Sequence, residues 1–499
     1  MTKSVITETV KNVTGHNQMT ETNEKIENHG EILERLLTEI KPVSFKDIIG
    51  LKEDENLKLK HIIYSVVRHV LDTAKIQNWN LCMMYNYIYI YNGAFWRQCG
   101  KEDIRKFLTD SAVKMGMKKH EAKYYETADK LLKQFLCDAH LSAPNQNKDK
   151  ILINLKNGTF EFTPHGWKKK KFNSDDFLTY QLPFNYDDKA ECLLFEKYLV
   201  RVLPDPNSRS LLQEFMGSIF TKLNFEKCLV LYGDGCNGKS VFMNIMNALF
   251  GNENVLNYSL GLFAHEYNRA KLVNVLFNYS SEKGFDLNPD IFKALISGEP
   301  IQAREIYQKP FTLHNLARFI INCNELPRET EITEAYFRRF IIIPFEVKIT
   351  NEERDVELAD KIIKNEMPGI FNWVLEGLNR FATNKKFSNS VKSEGALFDF
   401  RKQSDSVQLF IDEKKYICAK TKKEPLSVLY AEYKEFCRED NYRPLGKNRF
   451  SKRLEKKGLE KTRDSFGSAA FFVEVLVPHG ADDEDLFSAQ KQENINCPF

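Results

Sequence analysis

Gly233 and Gly238, followed directly by Lys239 and Ser240, give the spacing G-x-x-x-x-G-K-[ST] within "LVLYGDGCNGKS". Each residue type there has a task in holding a polyphosphate. Glycines let backbone N–H groups curl around the anion without Cβ clashes, and a following helix aims its positive end at it. Lys239 is placed to neutralise the β- and γ-phosphates, and Ser240 to hold Mg²⁺. Residues Gly233, Asp234, Gly235, Cys236, Asn237, Gly238, Lys239, Ser240 and Val241 are therefore the candidate nucleotide-binding loop. The apolar run "CLVLYG" enters it and the amphipathic "KSVFMNIMNALFG" leaves it, a strand–loop–helix context that a chance glycine-rich turn lacks.

Cleaving a phosphate also needs a metal-facing or water-polarising acid on a neighbouring strand. Glu282, at the end of "LVNVLFNYSSE", is the candidate, and with Ser240 it makes the candidate metal pair. The alternative for Glu282 is a solvated strand-end glutamate. Asn324 closes the run "FIINCNELP", where its amide can orient an attacking water or cap a turn. Arg338 and Arg339 precede the buried run in "YFRRFIIIPF". An arginine there can reach a neighbouring subunit's γ-phosphate, or pair with local acids.

The elements that must position these residues follow from hydropathy. At 499 residues the chain is long for one core, since domains run to roughly 100–200 residues. Residues 1–45 read as a polar segment with one short helix, "EILERLLTEI". Residues 46–189 mix helices with short strands set off by Asn-Gly turn signals, an α+β domain. Residues 190–395 alternate helices with "KCLVLYG", "LVNVLFNYSS", "LARFIINCN" and "RRFIIIPF". Such continuous apolar runs suit strands buried on both faces of a parallel sheet, hence an α/β domain. Residues 400–478 read as helices followed by a two-stranded wing, and 479–499 as an acidic, flexible tail.

The net charge of +3 is close to neutral for this length, so affinity for nucleic acid must come from local clusters. One such cluster is the helix in "RPLGKNRFSKRLEKKG", where Lys447, Arg449, Lys452 and Arg453 stand with Phe450 and Leu454. A basic helix followed by a wing is the arrangement of a winged helix reading a DNA groove, and a solvated helix packed on its own chain is the alternative. Ten cysteines are scattered without Cys-x-x-Cys or a nearby His pair, which argues against a zinc site or disulfide framework. No apolar run approaches the ~20 residues that cross a bilayer, and the first thirty lack a signal-peptide core. A cytoplasmic protein without a membrane partner is expected.

In order along the chain, "LVLYGDGCNGKS", "NYSSEKG", "FKALISGEPIQAREIYQKPF", "FIINCNELP" and "AYFRRFIIIPFE" resemble the superfamily 3 helicases, most closely the phage, plasmid and poxvirus-type primase-helicase branch. Upstream, "YNGAFWRQ", "ILINLKNGTFEF" and "LTYQLPFNYDDKAEC" look like the domain that precedes the ATPase in that family. The resemblance implies a P-loop AAA+ ATPase core between an N-terminal α+β domain and a C-terminal winged-helix domain. It implies a ring, usually a hexamer, that hydrolyses ATP with Mg²⁺ between subunits and draws one DNA strand through its pore. Lys239, Glu282, Asn324 and Arg339 would be the catalytic set, Arg339 acting in trans. The hairpin between acid and sensor would offer Lys293, Arg304 and Lys309 to phosphates and Tyr307 to a base, unless it is simply a solvated hairpin. His314 reads as structural.

Two departures from the family pattern stand out. Ser280 and Ser281 precede a single Glu282 where many members carry adjacent acids. Residues 1–190 also lack an Asp-x-Asp or Asp-x-Glu pair with a suitable His, so no primase activity is expected and a separate primase joins the expected partners, with single-stranded and forked DNA and other replication proteins. The expected function is an ATP-dependent helicase replicating a phage or mobile element in a bacterial host cytoplasm. The rivals are a P-loop ATPase for DNA packaging or protein remodelling, and an origin-binding initiator controlled by nucleotide.

Overall fold

The computed structural model describes residues 29–476, apart from 85–86, 141–149, 164–165, 282–287, 307, 327–332 and 441. Glu282, Tyr307, residues 1–28 and the tail 479–499 therefore lie outside the described residues. Chain contacts divide the protein into two bodies, residues 1–154 with 158–181, and residues 155–157 with 182–499.

In the first body, apolar residues at helical spacing turn four helices toward a common core. His29–Glu39 buries Ile32 and Leu36, and Leu59–Ile76 buries Val66, Val67, Val70 and Ala74. Lys101–Lys114 and Tyr125–Asp138 add Phe107, Leu108, Leu131 and Phe135 to the same cluster. An antiparallel sheet, β1 (Leu81–Met84), β2 (Tyr87–Tyr91) and β3 (Trp96–Cys99), accompanies them. Its second turn is fixed by Asn92, whose side-chain oxygen accepts the N–H of Ala94 at 3.0 Å and of Phe95 at 2.9 Å. The Asn-Gly signal is thus an Asx turn. A second sheet joins β4 (Ile151–Leu155), β5 (Gly158–Thr163) and β6 (Gly166–Lys170).

The second body is built on a parallel sheet. Its strands are β7 (Cys228–Tyr232), β8 (Val255–Leu256), β9 (Phe277–Ser281), β12 (Arg318–Cys323) and β13 (Phe340–Pro344), in the order β13-β7-β12-β9-β8. Between β9 and β12 the chain makes the small antiparallel hairpin of β10 (Ile301–Ala303) and β11 (Phe311–Leu313). Every residue of β12 and β13 is buried, as continuous apolar runs require when helices cover both faces. The hydropathy pattern starts its second strand at Leu272, but the strand found there, β9, begins at Phe277. Asn274 takes a left-handed φ of 66°, and the Val275 N–H bonds back to the Leu272 carbonyl, so a turn occupies the first half of the run. β8 has two residues, too few for any periodicity to reveal.

Helices Pro206–Ser218 and Met367–Asn384 pack backbone to backbone in this body. A Cβ on Gly377 would fall 2.2 Å from the Gln213 carbonyl oxygen, and one on Gly217 would fall 2.4 Å from the Leu378 nitrogen. Beside the crossing, fully buried Glu214 accepts from Arg380 Nε at 3.1 Å and from the Ser388 N–H at 2.7 Å.

The C-terminal part has helices Ser406–Lys414, Leu426–Glu439 and Lys447–Lys456 around Phe410, Tyr433 and Phe450. Beyond them β14 (Tyr416–Ile417) pairs β18 (Glu474–Val475), and β15 (Lys423–Pro425) and β16 (Lys461–Arg463) flank β17 (Ala469–Phe472). The sheet therefore has a third strand, β15, that the two-stranded pattern does not include. A three-residue strand ending in Pro carries almost no hydropathy signal.

Gly377→Ala forces two backbones apart, and overpacking of this kind typically costs about 1–3 kcal/mol. The expected result is a lower denaturant midpoint than wild type, whereas Gly395→Ala, where an added Cβ meets nothing within 4 Å, leaves it unchanged or raises it.

Candidate nucleotide site

The loop Gly233–Gly238 leaves β7 at the carboxyl end of the sheet and enters helix Lys239–Phe250. β7 lies between β12 and β13, while the chain runs on from β7 to the far edge, so the loop sits where strand order reverses. Such switch points are where open α/β sheets take ligands.

Lys239 is only 3% exposed. Its ammonium donates to the Gly233 carbonyl, to Asn237 Oδ1 at 3.0 Å and to Asn324 Oδ1 at 3.2 Å. Asn324 follows β12, the strand beside β7. The structure thus brings together the lysine and the asparagine that the sequence singles out separately. Ser240 is exposed in the first turn of the helix.

Other segments brace the loop from behind. The Gly233 N–H donates to the Cys323 carbonyl at 3.2 Å, and the Ile349 N–H to the Cys236 carbonyl at 2.8 Å. Asn237 Nδ2 donates to the Phe345 carbonyl at 3.0 Å, and Tyr198 O–H to the Gly238 carbonyl at 2.7 Å. Burial pushes the Tyr198 phenol well above its ordinary pKa, so it stays a donor. Tyr198, Phe345 and Ile349 carry no motif, and only their place on helix Leu193–Val202 and beyond β13 marks them. Cys236 is exposed and left-handed at φ 47°, a conformation that costs a non-glycine residue roughly 1–2 kcal/mol.

These features suit a triphosphate. Gly238 caps the helix without any side-chain cap bond, and the first N–H groups of a helix have no intrahelical partner. At φ 88° Gly238 is left-handed, and a Cβ there would lie 2.7 Å from Val202 Cγ1. A side chain at Gly238 would therefore press into helix Leu193–Val202. Lys239 and the loop N–H groups would hold the phosphates, and Ser240 would hold Mg²⁺, which supplies charge neutralisation on the phosphate oxygens when bound. Among the described residues no group of three or more His, Cys, Asp or Glu is arranged to hold a metal ion.

Arg339 is buried within its own chain. Its side chain is 6% exposed and paired with Glu226 at 3.2 Å. It also donates to Ser297 Oγ at 2.7 Å and to the Ala335 carbonyl. Within the single chain its guanidinium is thus occupied by these partners. Arg338 pairs with the same carboxylate at 3.0 Å, with a side chain 56% exposed.

Of the DNA-contact candidates, Lys309 is exposed beside β11. Arg304 is held by Glu266, by the Tyr267 hydroxyl at 2.6 Å and over the Tyr267 ring at 4.9 Å, so much of its charge is offset. Lys293 pairs with Asp290 at 3.0 Å on helix Pro289–Ser297. On the C-terminal helix Lys447, Arg449 and Lys452 are exposed. Arg453 instead turns inward to Asp405 at 3.1 Å, alongside Lys457 at 2.7 Å. Burial raises the Asp405 pKa, but the Lys457 and Arg453 charges outweigh it and hold the carboxyl below its usual range. Arg453 thus takes part in an ion pair with Asp405, its side chain 22% exposed.

Three family models match the chain. "D5 N terminal like" covers residues 65–204, a family of unknown function, DUF5906, covers 231–339, and "Poxvirus D5 protein-like" covers 397–474. Among curated proteins, 121R of Invertebrate iridescent virus 3, named as a helicase, is 24% identical over 228 residues, which is 42% of this chain and 24% of that protein. L207/L206 of Acanthamoeba polyphaga mimivirus, likewise named as a helicase, is 22% identical over 246 residues, 46% of this chain and 25% of that protein. The chain spans about a quarter of the length of these relatives. Among solved structures, the apo C-terminal region (305–718) of NrS-1 is 13% identical and aligns over 81% of this chain and 98% of that one, at a TM-score of 0.46. The chain is thus similar to D5-type domains at both ends and to viral proteins named as helicases. The D5-type models are primase-related and give no support to the expected lack of primase activity. No helix among the described residues is long and apolar enough to cross a membrane.

Gly238→Ala adds a Cβ against Val202 to the left-handed strain, while Gly235→Ala, at φ 94° with nothing within 4 Å, adds strain alone. With overpacking at about 1–3 kcal/mol, Gly238→Ala should weaken nucleotide binding roughly tenfold more than Gly235→Ala. Titration with a fluorescent ATP analogue measures both, and equal losses would contradict the cradle geometry.

Proposed function

We propose that the chain is an ATP-dependent superfamily 3 DNA helicase of a phage, virus or other mobile element, acting as a homo-oligomeric ring on single-stranded and forked DNA. The observation that carries this is the meeting of Lys239 and Asn324 at the carboxyl end of the parallel sheet, 3.2 Å apart. The Arg338–Arg339 pair stands at the other end of the same sheet, before β13. ATP with Mg²⁺ is the proposed fuel, and Ser240 and Glu282 are the proposed metal ligands. In the C-terminal part, three helices and an antiparallel sheet with Lys447, Arg449 and Lys452 exposed support a winged-helix DNA contact. Lys309, between β10 and β11, and Tyr307 are the proposed pore contacts.

The site uses few parts. Lys239 and the loop N–H groups bind and orient the triphosphate, and Asn324, already bonded to Lys239, is near enough to position a water. A cation from a neighbouring copy then offsets charge developing on the transferred phosphoryl group. We assign that cation to Arg338, because Arg339 serves as an internal strut.

Purified protein should show ATP turnover that rises with single-stranded DNA, and should release a labelled strand from a forked duplex. Lys239→Ala should lose both. Turnover without strand release would favour a packaging or remodelling ATPase instead.

Arg338→Ala should fold and bind ATP normally yet lose turnover by about 10³-fold, the scale of a missing arginine finger. Mixing it with Lys239→Ala should restore part of the rate, since mixed interfaces join an intact loop to an intact arginine. Arg339→Ala should lower the denaturation midpoint, and mixing should not rescue it. Rescue of Arg339→Ala but not of Arg338→Ala would reverse the assignment.

A further inference from the structure

At the tip of the turn between β16 and β17 stands Phe466, 92% exposed, the most exposed large apolar side chain among the described residues. The turn itself does not need it. The Asp464 N–H donates to the Ser468 carbonyl at 2.9 Å, closing a loop of Ser465, Phe466 and Gly467. Asp464 Oδ1 accepts the N–H of Phe466 at 2.9 Å and of Ser468 at 2.8 Å, and Gly467 takes the left-handed position at φ 79°. Three-residue hairpin loops call for glycine at that place and for nothing apolar in the middle. Asp464 and Gly467 therefore shape the turn, and they pin the backbone that carries the phenyl ring.

Cations stand beside this tip. A cleft of about 690 Å³ is lined by Lys461, Thr462, Arg463, Gly467 and Ala469. Arg463 is exposed, and Lys461 pairs with Glu455 at 3.0 Å through side chains 44% and 43% exposed, a contact that opens at small cost. Lys423 on β15 adds a third cation. Its ammonium donates to the Arg463 carbonyl at 3.4 Å and lies 5.3 Å from the centre of the Phe472 ring. Of the nearby carboxylates, Asp464 is occupied by the N–H groups of the turn, and Glu424 lies 3.8 Å from Lys422. Glu455 belongs to helix Lys447–Lys456, so its bond to Lys461 also joins the hairpin to the helix that bears exposed Lys447, Arg449 and Lys452.

A bare aromatic face beside cations suits a polyanion that has flat faces of its own, which is a nucleic acid. Inside a continuous duplex both faces of every base pair are covered, and a ring enters only by breaking a stack. Where the strands part, the last pair has one face free. An unpaired strand offers single bases and must be ordered on binding, so it fits less well. We propose that Phe466 stacks on the last base pair of a DNA duplex at its junction with single strands, while Arg463 and Lys461 hold phosphates on the duplex side. The contact is separate from the basic helix and from the hairpin of β10 and β11. It depends on the chain acting on DNA, as proposed above, and the test separates the two claims.

Fluorescence anisotropy on the full chain, without nucleotide, measures binding to a forked duplex, to a duplex of the same length closed by a loop at both ends, and to one strand of the fork alone. Wild type should bind the fork most tightly. Phe466→Ala should weaken fork binding by about tenfold, the scale of one base–aromatic stack, and leave the closed duplex and the single strand unchanged. Phe466→Trp should keep the wild-type affinity for the fork, and Phe466→Leu, apolar without a flat face, should not. Arg463→Ala should weaken fork binding and lower its salt slope by about one. Because residue 466 is exposed, the denaturation midpoint should not move in any of its variants. Equal wild-type affinity for the three DNAs, or a fork preference undiminished by Phe466→Ala, would overturn the junction contact and leave the helicase reading standing. Phe466→Leu binding like wild type would overturn the stacking, and loss of self-association in Phe466→Ala with DNA binding intact would make the tip a protein contact instead. Failure of all three DNAs to bind would overturn the helicase reading and the junction contact with it.

Discussion

The ammonium of Lys239 has to be held almost out of water, and the rest of the second body serves that end. Burying a cation is costly unless polar groups replace its hydration. Here three oxygens that meet it, from Gly233, Asn237 and Asn324, are uncharged. Their dipoles replace part of the hydration that burial removes. Two of them lie on the loop and the third beyond β12, so the lysine also links neighbouring strands of the sheet. If β12 shifted in register against β7, the asparagine would leave and a buried charge would lose a partner.

The bracing behind the loop follows the same logic. Cys323 and Phe345, which close β12 and follow β13, receive hydrogen bonds from the two ends of the loop, Gly233 and Asn237. Since these strands flank β7, the cradle is fixed by both of its neighbours. The strained φ of Cys236 is held by the Ile349 N–H on its carbonyl. The shape for phosphate is built into the chain before any ligand arrives, which is what preorganised electrostatic stabilisation requires.

Much of this was legible in the sequence because it is local. The spacing of Gly233, Gly238, Lys239 and Ser240 encodes the loop, and fully apolar runs mark β7, β12 and β13 as buried strands. What was not legible depends on pairings far apart in the chain. Nothing near Arg339 announces Ser297 or Glu226, so two adjacent arginines look interchangeable until folding buries one and exposes the other. Arg453 is a similar case, since it sits in a basic cluster yet answers to Asp405, 48 residues upstream. β8 and β15 escaped for a different reason. Strands of two or three residues contain less than two periods of the alternation that identifies a strand.

The parallel register gives the arginine pair its meaning. Phe340 pairs with Cys228 and Pro344 with Tyr232, so β7 and β13 start and finish together. The loop leaves one end of this pair of strands, and Arg338 and Arg339 enter at the other. Five residues of strand separate the ends by roughly 16 Å at about 3.3 Å per residue. An arginine side chain anchored at the far edge does not bridge that distance through a packed sheet to its own nucleotide. If Arg338 touches a phosphate at all, the phosphate belongs to another copy, and one molecule then presents two incomplete halves of a site on opposite edges. Copies joined edge to opposite edge make a heterologous contact, which closes into a ring when the rotation between them divides a full turn and otherwise extends as a helix.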